Sequence, residues 1–172
     1  AVTRAATTGH LVFTTIHANN TLEVSNALKQ YVVSPQDLAN ALRLIVFQTL
    51  ENRLCECKHI RSVTPSEKAW LDKNLLTNIE IAVVNEHNPN GCEKCKHTGF
   101  KGRVLLAEML ESNAIYRELE NQIRIHNGTL DQLKRALLTT EGANFYPLEA
   151  DVHAHLREGN IDMSTARRLV GK

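Results

Sequence analysis

The chain has 172 residues, 42% of them hydrophobic, so it can bury the core of a folded domain and is not disordered by composition. Its 20 basic and 19 acidic side chains give a formal charge of +1, which provides no overall attraction to nucleic acid or anionic lipid. The sequence has no apolar run of membrane-spanning length and no apolar signal segment at its N-terminus. These features indicate a cytoplasmic protein, and the missing initiator methionine leads us to expect a fragment.

The N-terminal residues predict a helix, a strand and a second helix. Alanines at helical spacing in residues 1–8 predict a helix that ends at Gly9. The segment LVFTTI, residues 11–16, has no polar face and predicts a buried central strand of an α/β sheet. Asn20 and Glu23 form a capping pair that begins the next helix.

Further capping residues mark the elements that follow. Ser34 and Pro35 begin a helix whose apolar positions extend to Leu50. Thr64 and Glu67 repeat this capping chemistry at the start of a short helix. The remaining predicted elements are strands around 79–83 and over 101–111, and helices over 113–126, 130–140, 147–158 and 163–170.

Four cysteines lie in two tight pairs. Cys55 and Cys57 form a CxC loop, Cys92 and Cys95 form a CxxC loop, and 34 residues separate the pairs. Two such loops supply the four thiolates of a tetrahedral zinc site, although the CxC loop is one residue shorter than usual. In a reducing cytosol the thiols stay unpaired, which favours a metal over the alternative of two disulfides in a secreted protein.

Three separated segments match one protein family in the same order. They are TGHLVFTTIH from residue 8, PQDLANALRLIVFQTLENRLC from residue 35, and GCEKCKHTGFKGRVLLAEML from residue 91. Together they resemble the secretion ATPase superfamily that powers type II secretion and type IV pilus assembly. The match is specific through about residue 111 and weaker beyond it.

The resemblance implies an α/β fold, namely the C-terminal part of a RecA-like ATPase domain with an inserted four-cysteine zinc subdomain and a helical C-terminal region. It implies a RecA-like core over 1–52, a zinc-binding subdomain over 53–111 and a helical subdomain over 112–172. The first matching segment corresponds to the histidine box of the family, which lies near the bound nucleotide. The residues that the resemblance assigns are His10, Thr15, His17 and Asn19 near the nucleotide, and Cys55, Cys57, Cys92 and Cys95 as ligands of a structural Zn²⁺.

Other motifs of the family are missing or altered. The sequence has neither a GxxxxGK[ST] phosphate loop nor an acidic strand end that resembles the magnesium motif, and the resemblance places both upstream of Ala1. We therefore predict that this chain alone does not hydrolyse ATP, and that ATP and Mg²⁺ bind to the full-length protein. Two arginines of the family align with Ala27 and Thr49, which indicates a divergent member and leaves a degenerate ATPase as the alternative.

Charged residues near the second cysteine pair leave two interpretations open. Arg103 and Glu108 match the GR and E of the family's post-zinc strand, where they are either functional or merely a structural ion pair or exposed strand charges. A local basic cluster is either a solvated face or a surface for a membrane platform protein or nucleic acid. Its members are Lys94, Lys96, His97, Lys101 and Arg103.

The resemblance also implies a homo-hexamer that acts on an inner-membrane platform protein and other pilus or secretion components, with peripheral location at the bacterial inner membrane and no direct contact with nucleic acid. Two other classes of function stay open. One is a non-catalytic zinc-ribbon module for nucleic acid or protein, although 5% aromatic residues argue against binding by base stacking. The other is a redox protein, although the CxC partner favours metal over reversible oxidation.

Overall fold

The computed structural model describes residues 2–29, 34–74 and 80–170. Along these residues the helices are α1 (Val2–Thr7), α2 (Thr21–Lys29), α3 (Pro35–Ala41), α4 (Pro65–Asn74), α5 (Ala114–Ile125), α6 (Leu130–Thr139), α7 (Leu148–Arg157) and α8 (Met163–Val170). The strands are β1 (Leu44–Leu54), β2 (His59–Ser62), β3 (Val83–Glu86), β4 (Phe100–Glu111) and β5 (Phe145–Tyr146), and a 3₁₀ turn covers Glu93–Cys95. The predicted α/β class is confirmed.

The chain divides into two compact units, each of which combines two separate stretches of sequence. The first unit contains Ala1–Phe47 and Glu108–Tyr146, and the second contains Gln48–Ala107 and Pro147–Lys172. The long strands β1 and β4 therefore contribute residues to both units. The chain passes between the units three times.

Pairing among the described strands is simple. In one sheet β4 lies between β1 and β5, and β2 pairs with β3 in another. The β4–β5 pair is antiparallel, with Met109 opposite Tyr146. The β2–β3 pair is also antiparallel, with His59 opposite Glu86.

Each unit buries its own apolar core. In the first unit, α2, α5 and α6 pack their apolar faces against residues of β1 and β4, as expected for amphipathic helices. In the second unit, α7 and α8 pack against β3, β4 and α4. The buried residues are Leu22, Val24, Ile45, Leu110, Tyr116, Leu133 and Leu137 in the first core, and Leu71, Ile81, Val84, Val104, Leu106, Val152, Leu156, Ile161, Met163, Ala166 and Leu169 in the second.

Helix caps predicted from short sequence patterns are confirmed by their hydrogen bonds. The backbone N–H of Glu23 donates to Asn20 Oδ1 at 2.9 Å, and that of Asp37 donates to Ser34 Oγ at 3.2 Å. Such bonds satisfy amide groups that a helix leaves without partners in its first turn. The predicted helices over 113–126, 130–140, 147–158 and 163–170 correspond to α5, α6, α7 and α8.

The prediction of one long helix from Ser34 to Leu50 is wrong beyond its first two turns. Helix α3 ends at Ala41, and β1 begins at Leu44. The β1 side chains alternate between exposed and less exposed positions at its start, with Leu44 exposed and Ile45 buried. This segment is rich in β-branched and aromatic residues, which favour a strand. Its apolar positions fit the helical period of about 3.6 residues as well as the strand period of about two.

The predicted buried strand over 11–16 is also wrong for this structure. Residues 10–18 have no regular secondary structure, and no strand in the described part of the chain pairs with them. Leu11 is 84% exposed and Phe13 is 88% exposed. A strand needs neighbouring strands to accept and donate its backbone hydrogen bonds, and the described residues supply none here.

Other expectations have mixed outcomes. The strand predicted around 79–83 appears as β3 from Val83, while residues 75–79 lie outside the described part of the chain. The predicted division at 52 and 111 stays a prediction, as does the RecA-like assignment. Within residues 2–29, 34–74 and 80–170, no helix combines the length and apolar character that crossing a membrane requires.

Candidate metal centre and histidine segment

The four cysteines converge on one point in the second unit. Cys55 directly follows β1, and Cys57 lies in the turn before β2. Cys92 precedes the 3₁₀ turn, and Cys95 is the last residue of that turn. Cys55 and Cys95 are buried, while Cys57 and Cys92 are partly buried. Strand β1 and the 3₁₀ turn thus bring together two loops that are far apart in sequence.

The distances between the sulfurs match a tetrahedral metal site. All four Sγ atoms lie within 4.8 Å of one another. The Cys55–Cys92 and Cys92–Cys95 distances are 3.8 Å, and the Cys57–Cys95 distance is 4.0 Å. A tetrahedron with Zn–S bonds of about 2.3 Å has sulfurs about 3.8 Å apart, whereas a disulfide needs about 2.05 Å. The cysteines therefore fit a four-thiolate metal and not two disulfides.

Burial and hydrogen bonds move the pKa values of Cys95 and Cys57 in opposite directions. Burial opposes ionisation of Cys95, but N–H donors from Cys92 at 3.1 Å and Gly99 at 3.2 Å lower its pKa to about 6. Burial and bonds from the neighbouring thiols raise the pKa of Cys57 to about 12. Because a metal binds thiolates, its binding must displace the proton of Cys57, and affinity should therefore increase with pH.

The backbone around the CxxC loop requires glycine at its start. Gly91 has φ of +57°, which favours glycine, and a Cβ there would lie 2.5 Å from Cα of His97. The loop then closes on itself, because the His97 N–H donates to Cys92 O at 2.9 Å. Lys96 and His97 both have positive φ, at 52° and 60°. The tight loop presents both sulfurs toward the same point.

The histidine segment, residues 8–20, lies in the first unit, and its polar side chains are accessible to solvent. His10, Thr15 and His17 are all exposed, and His10 Nδ1 lies 3.4 Å from Thr8 Oγ1. Asn19 is anchored to the first turn of α2, since its backbone N–H and its Nδ2 both donate to Oε2 of Glu23, at 3.1 and 3.0 Å. The segment therefore ends at a defined helix start, with its polar side chains available to a ligand.

A buried carboxylate holds that helix start, and sequence reasoning missed it. Glu108 is only 3% exposed, and its Oε1 accepts bonds from the N–H of Thr21 at 2.7 Å and from the Thr21 hydroxyl at 2.6 Å. The interpretation of Glu108 as an exposed strand charge is therefore wrong. The sequence did contain an indication of this burial. Leu106, Glu108 and Leu110 occupy every second position of β4 and therefore lie on the same, buried face of the strand. A carboxylate beside a helix N-terminus is also favoured by the helix dipole.

The side chains of the basic cluster near the cysteines are exposed to solvent. Lys96, Lys101 and Arg103 are exposed. Lys94 Nζ lies 2.7 Å from Oε2 of Glu56, and both side chains are well exposed. The hydrogen bond from Lys94 and its positive charge hold the pKa of Glu56 below its usual value. The use of this face as a partner surface stays a prediction.

Comparison with known proteins places the chain among secretion proteins. A family model described as "Type II/IV secretion system protein" matches residues 1–146. The type II secretion system protein E of Aeromonas hydrophila is 29% identical over 116 residues, which cover 67% of this chain and 22% of that protein. The type IV pilus assembly ATPase PilB of Thermus thermophilus is 34% identical over 108 residues, covering 63% of this chain and 12% of that protein.

A third relative matches a larger share of the chain. The type IV pilus assembly ATPase TfpB of Acinetobacter baylyi is 31% identical over 133 residues, which cover 76% of this chain and 21% of that protein. The chain thus spans between 12% and 22% of the length of these three relatives. The stretch that the family model matches contains the histidine segment and all four cysteines.

Proposed function

Because the chain belongs to the type II/IV secretion system protein family, we propose that it is the C-terminal portion of a motor ATPase. The complete motor couples ATP hydrolysis to type IV pilus assembly or to type II protein secretion. The resemblance predicted from three sequence segments is confirmed by the family match, and relatives with matching segments are pilus assembly ATPases and secretion proteins. The match over residues 1–146 is the single observation that carries the proposal.

In this motor, the histidine segment forms one edge of the nucleotide site. The exposed residues His10, Thr15, His17 and Asn19 offer imidazole, hydroxyl and amide groups. His17 lies nearer the phosphates, where a positioned proton donor or acceptor stabilises charge that develops during phosphoryl transfer. The phosphate loop and the Mg²⁺-binding acid come from the rest of the protein.

The metal in the second unit is a structural zinc. Four thiolates close the coordination sphere and leave no open position for a substrate, which is typical of structural rather than catalytic zinc. Bound zinc crosslinks the CxC and CxxC loops, and such binding contributes about 10–16 kcal/mol in zinc-finger peptides. Soft sulfur donors also favour Zn²⁺ over Mg²⁺ or Ca²⁺ at this site.

The assembled protein is a homo-hexamer at the cytoplasmic face of the bacterial inner membrane. Hydrolysis changes the relative position of its domains, and the motion is passed to an inner-membrane platform protein and to other pilus or secretion components. The names of the relatives support the link to pilus assembly and secretion, whereas the hexamer, its location and its platform partner follow from the family resemblance alone.

The proposal is tested by ATP hydrolysis. The protein encoded by the whole reading frame should release phosphate from ATP, and the isolated 172-residue chain should not. In the whole protein, His17→Ala should lower kcat at least tenfold, since a positioned proton donor or acceptor typically contributes about 10²–10⁴-fold. His126→Ala is the matched control, because His126 is an exposed histidine of the same unit beyond the end of α5.

Two results would contradict the proposal. One is a folded whole protein that does not hydrolyse ATP. The other is equal kcat for the His17→Ala and His126→Ala proteins, which would remove the histidine segment from the nucleotide site.

A further inference from the structure

The turn between α7 and α8 contacts the CxC loop at both of its ends. The Leu54 N–H, just before the first cysteine of the loop, donates to Asn160 O at 2.9 Å. The Lys58 ammonium, just after the second cysteine, donates to Gly159 O at 2.6 Å. Two consecutive residues of one turn therefore hold the residues on either side of the loop.

The turn itself has a narrowly defined conformation. Gly159 is buried with φ of +68°, and its N–H donates to Leu156 O at 3.1 Å. A Cβ at this position would overlap the side-chain amide of Asn85 and would lie 2.6 Å from Lys58 Nζ. The positive φ favours glycine here, and a Cβ would force the side-chain ends of Asn85 and Lys58 to move away from the turn. The ammonium also lies at the C-terminal end of α7, where the helix dipole favours positive charge.

The two cysteine loops are supported differently. The CxxC loop has its own N–H···S bonds, which the N–H groups of Cys92 and Gly99 donate to Cys95 Sγ. The CxC loop is one residue shorter than usual, and the turn anchors its two flanking residues. This arrangement restricts where the shortened loop can place its sulfurs.

We propose that the α7–α8 turn is a positioning element for the metal, with Lys58, Gly159 and Asn160 holding the CxC sulfurs at tetrahedral separation. The inference rests on the metal-binding part of the proposed function. Residues 159 and 160 lie beyond the stretch 1–146 that the family model matches, although they belong to the same compact unit as the cysteines. The C-terminal helices are therefore part of the metal centre's support.

Thermodynamic linkage makes this coupling reciprocal. If the turn strengthens zinc binding, bound zinc must stabilise the turn by the same factor. Zinc should therefore slow amide hydrogen exchange at Gly159 and Asn160, whose N–H groups donate to Leu156 and His155. This readout is independent of any enzymatic activity.

The test compares zinc affinity in two matched pairs of variants, by competition with a colorimetric chelator. Lys58→Met removes the bond to the turn and keeps the aliphatic chain. Lys101→Met removes the same charge near the cysteines, since the exposed Lys101 lies outside both loops and its charge acts on Glu56. Lys58→Met should lose about tenfold more affinity than Lys101→Met, the lower range for residues that orient metal ligands.

The second pair changes a glycine with positive φ. Gly159→Ala introduces both backbone strain and the overlap with the turn's neighbours, whereas Gly102→Ala, at φ of +78°, introduces strain alone because a Cβ there has no atom within 4 Å. Gly159→Ala should again show the larger loss of zinc affinity, and zinc should protect its turn less from exchange. Lys58→Met keeps the test valid if Gly159→Ala fails to fold.

The outcomes separate the inference from the proposed function. Zinc bound to the wild-type chain with equal affinities within both pairs would overturn the positioning role alone. A wild-type chain that binds no zinc would overturn the metal site and the positioning role together. Larger losses in Lys58→Met and Gly159→Ala than in their controls support the proposal.

Discussion

The buried carboxylate of Glu108 offers a quantitative test of how the histidine segment is held in place. Hydrogen bonds to a charged acceptor contribute about 1.5–3 kcal/mol each, and a carboxylate at a helix N-terminus adds about 0.3–1 kcal/mol. Glu108 accepts two such bonds from Thr21, at 2.7 and 2.6 Å. Glu108→Gln keeps the shape but offers a neutral oxygen, whose bonds have about half that strength. We expect the free energy of unfolding to fall by about 2 kcal/mol.

Urea unfolding followed by circular dichroism measures this change, and hydrogen exchange at the Thr21 amide localises it. Glu118→Gln is the matched control, because Glu118 is an exposed glutamate of the same unit that accepts one bond from Gln122 at 2.8 Å. Thr21→Val replaces the hydroxyl with a methyl group and so removes the side-chain bond to Glu108, while the backbone bond is kept. Because the two residues share a bond, the double variant with Glu108→Gln should lose about 1 kcal/mol less than the sum of the single losses.

Equal stability of Glu108→Gln and Glu118→Gln, to within about 0.5 kcal/mol, would refute this reasoning. So would a large loss of stability without faster exchange at Thr21, because that pattern would place the effect elsewhere. Under the proposed function, a weakened start of α2 should also lower the ATPase activity of the whole protein, because the histidine segment directly precedes this helix.

Three further outcomes follow from the second unit. The wild-type chain should carry one zinc, and Cys92→Ser should lose it, as measured by elemental analysis; a folded, metal-free wild-type protein would contradict the site. The hydrogen bond from Arg61 and its positive charge lower the pKa of Glu67 from 4.5 to about 2. The ionised Glu67 therefore stabilises the folded protein fully above pH 4.5, and this stabilisation disappears as the pH falls toward 2. Glu67→Gln should therefore cost about 1–3 kcal/mol at pH 7 and almost nothing near pH 2, in urea titrations at each pH. Gly91→Ala should lower Tm more than Gly102→Ala, since only the former adds overlap with nearby backbone; equal Tm values would exclude that overlap as a cause.

Local chemistry explains which parts of the fold the sequence could predict. The caps at Asn20 and Ser34 depend on residues three positions away, so short patterns suffice to find them. The spacing of the four cysteines likewise predicted a cluster, which the sulfur distances support.

Contacts between distant residues explain the failures. The segment 11–16 is apolar enough for a strand, but strand formation depends on partners that no local pattern reveals. The β1 segment fits both helical and strand periods, and its place in a sheet decides between them. Lys58 donates a hydrogen bond to Gly159 O although 101 positions of sequence separate the two residues. No local pattern at either residue predicts this contact.

The interleaving of the two units also sets the order in which the protein can be completed during synthesis. The first unit is finished once residue 146 has been made, but the second still lacks residues 147–172. Translation at about 5–20 residues per second leaves an interval of seconds between the last cysteine and the turn at Gly159. During that interval the CxC loop lacks the bonds of its flanking residues to Gly159 and Asn160. A slow stretch of translation after Cys95 would lengthen this interval, and zinc delivered within it would meet a CxC loop that the turn does not yet hold.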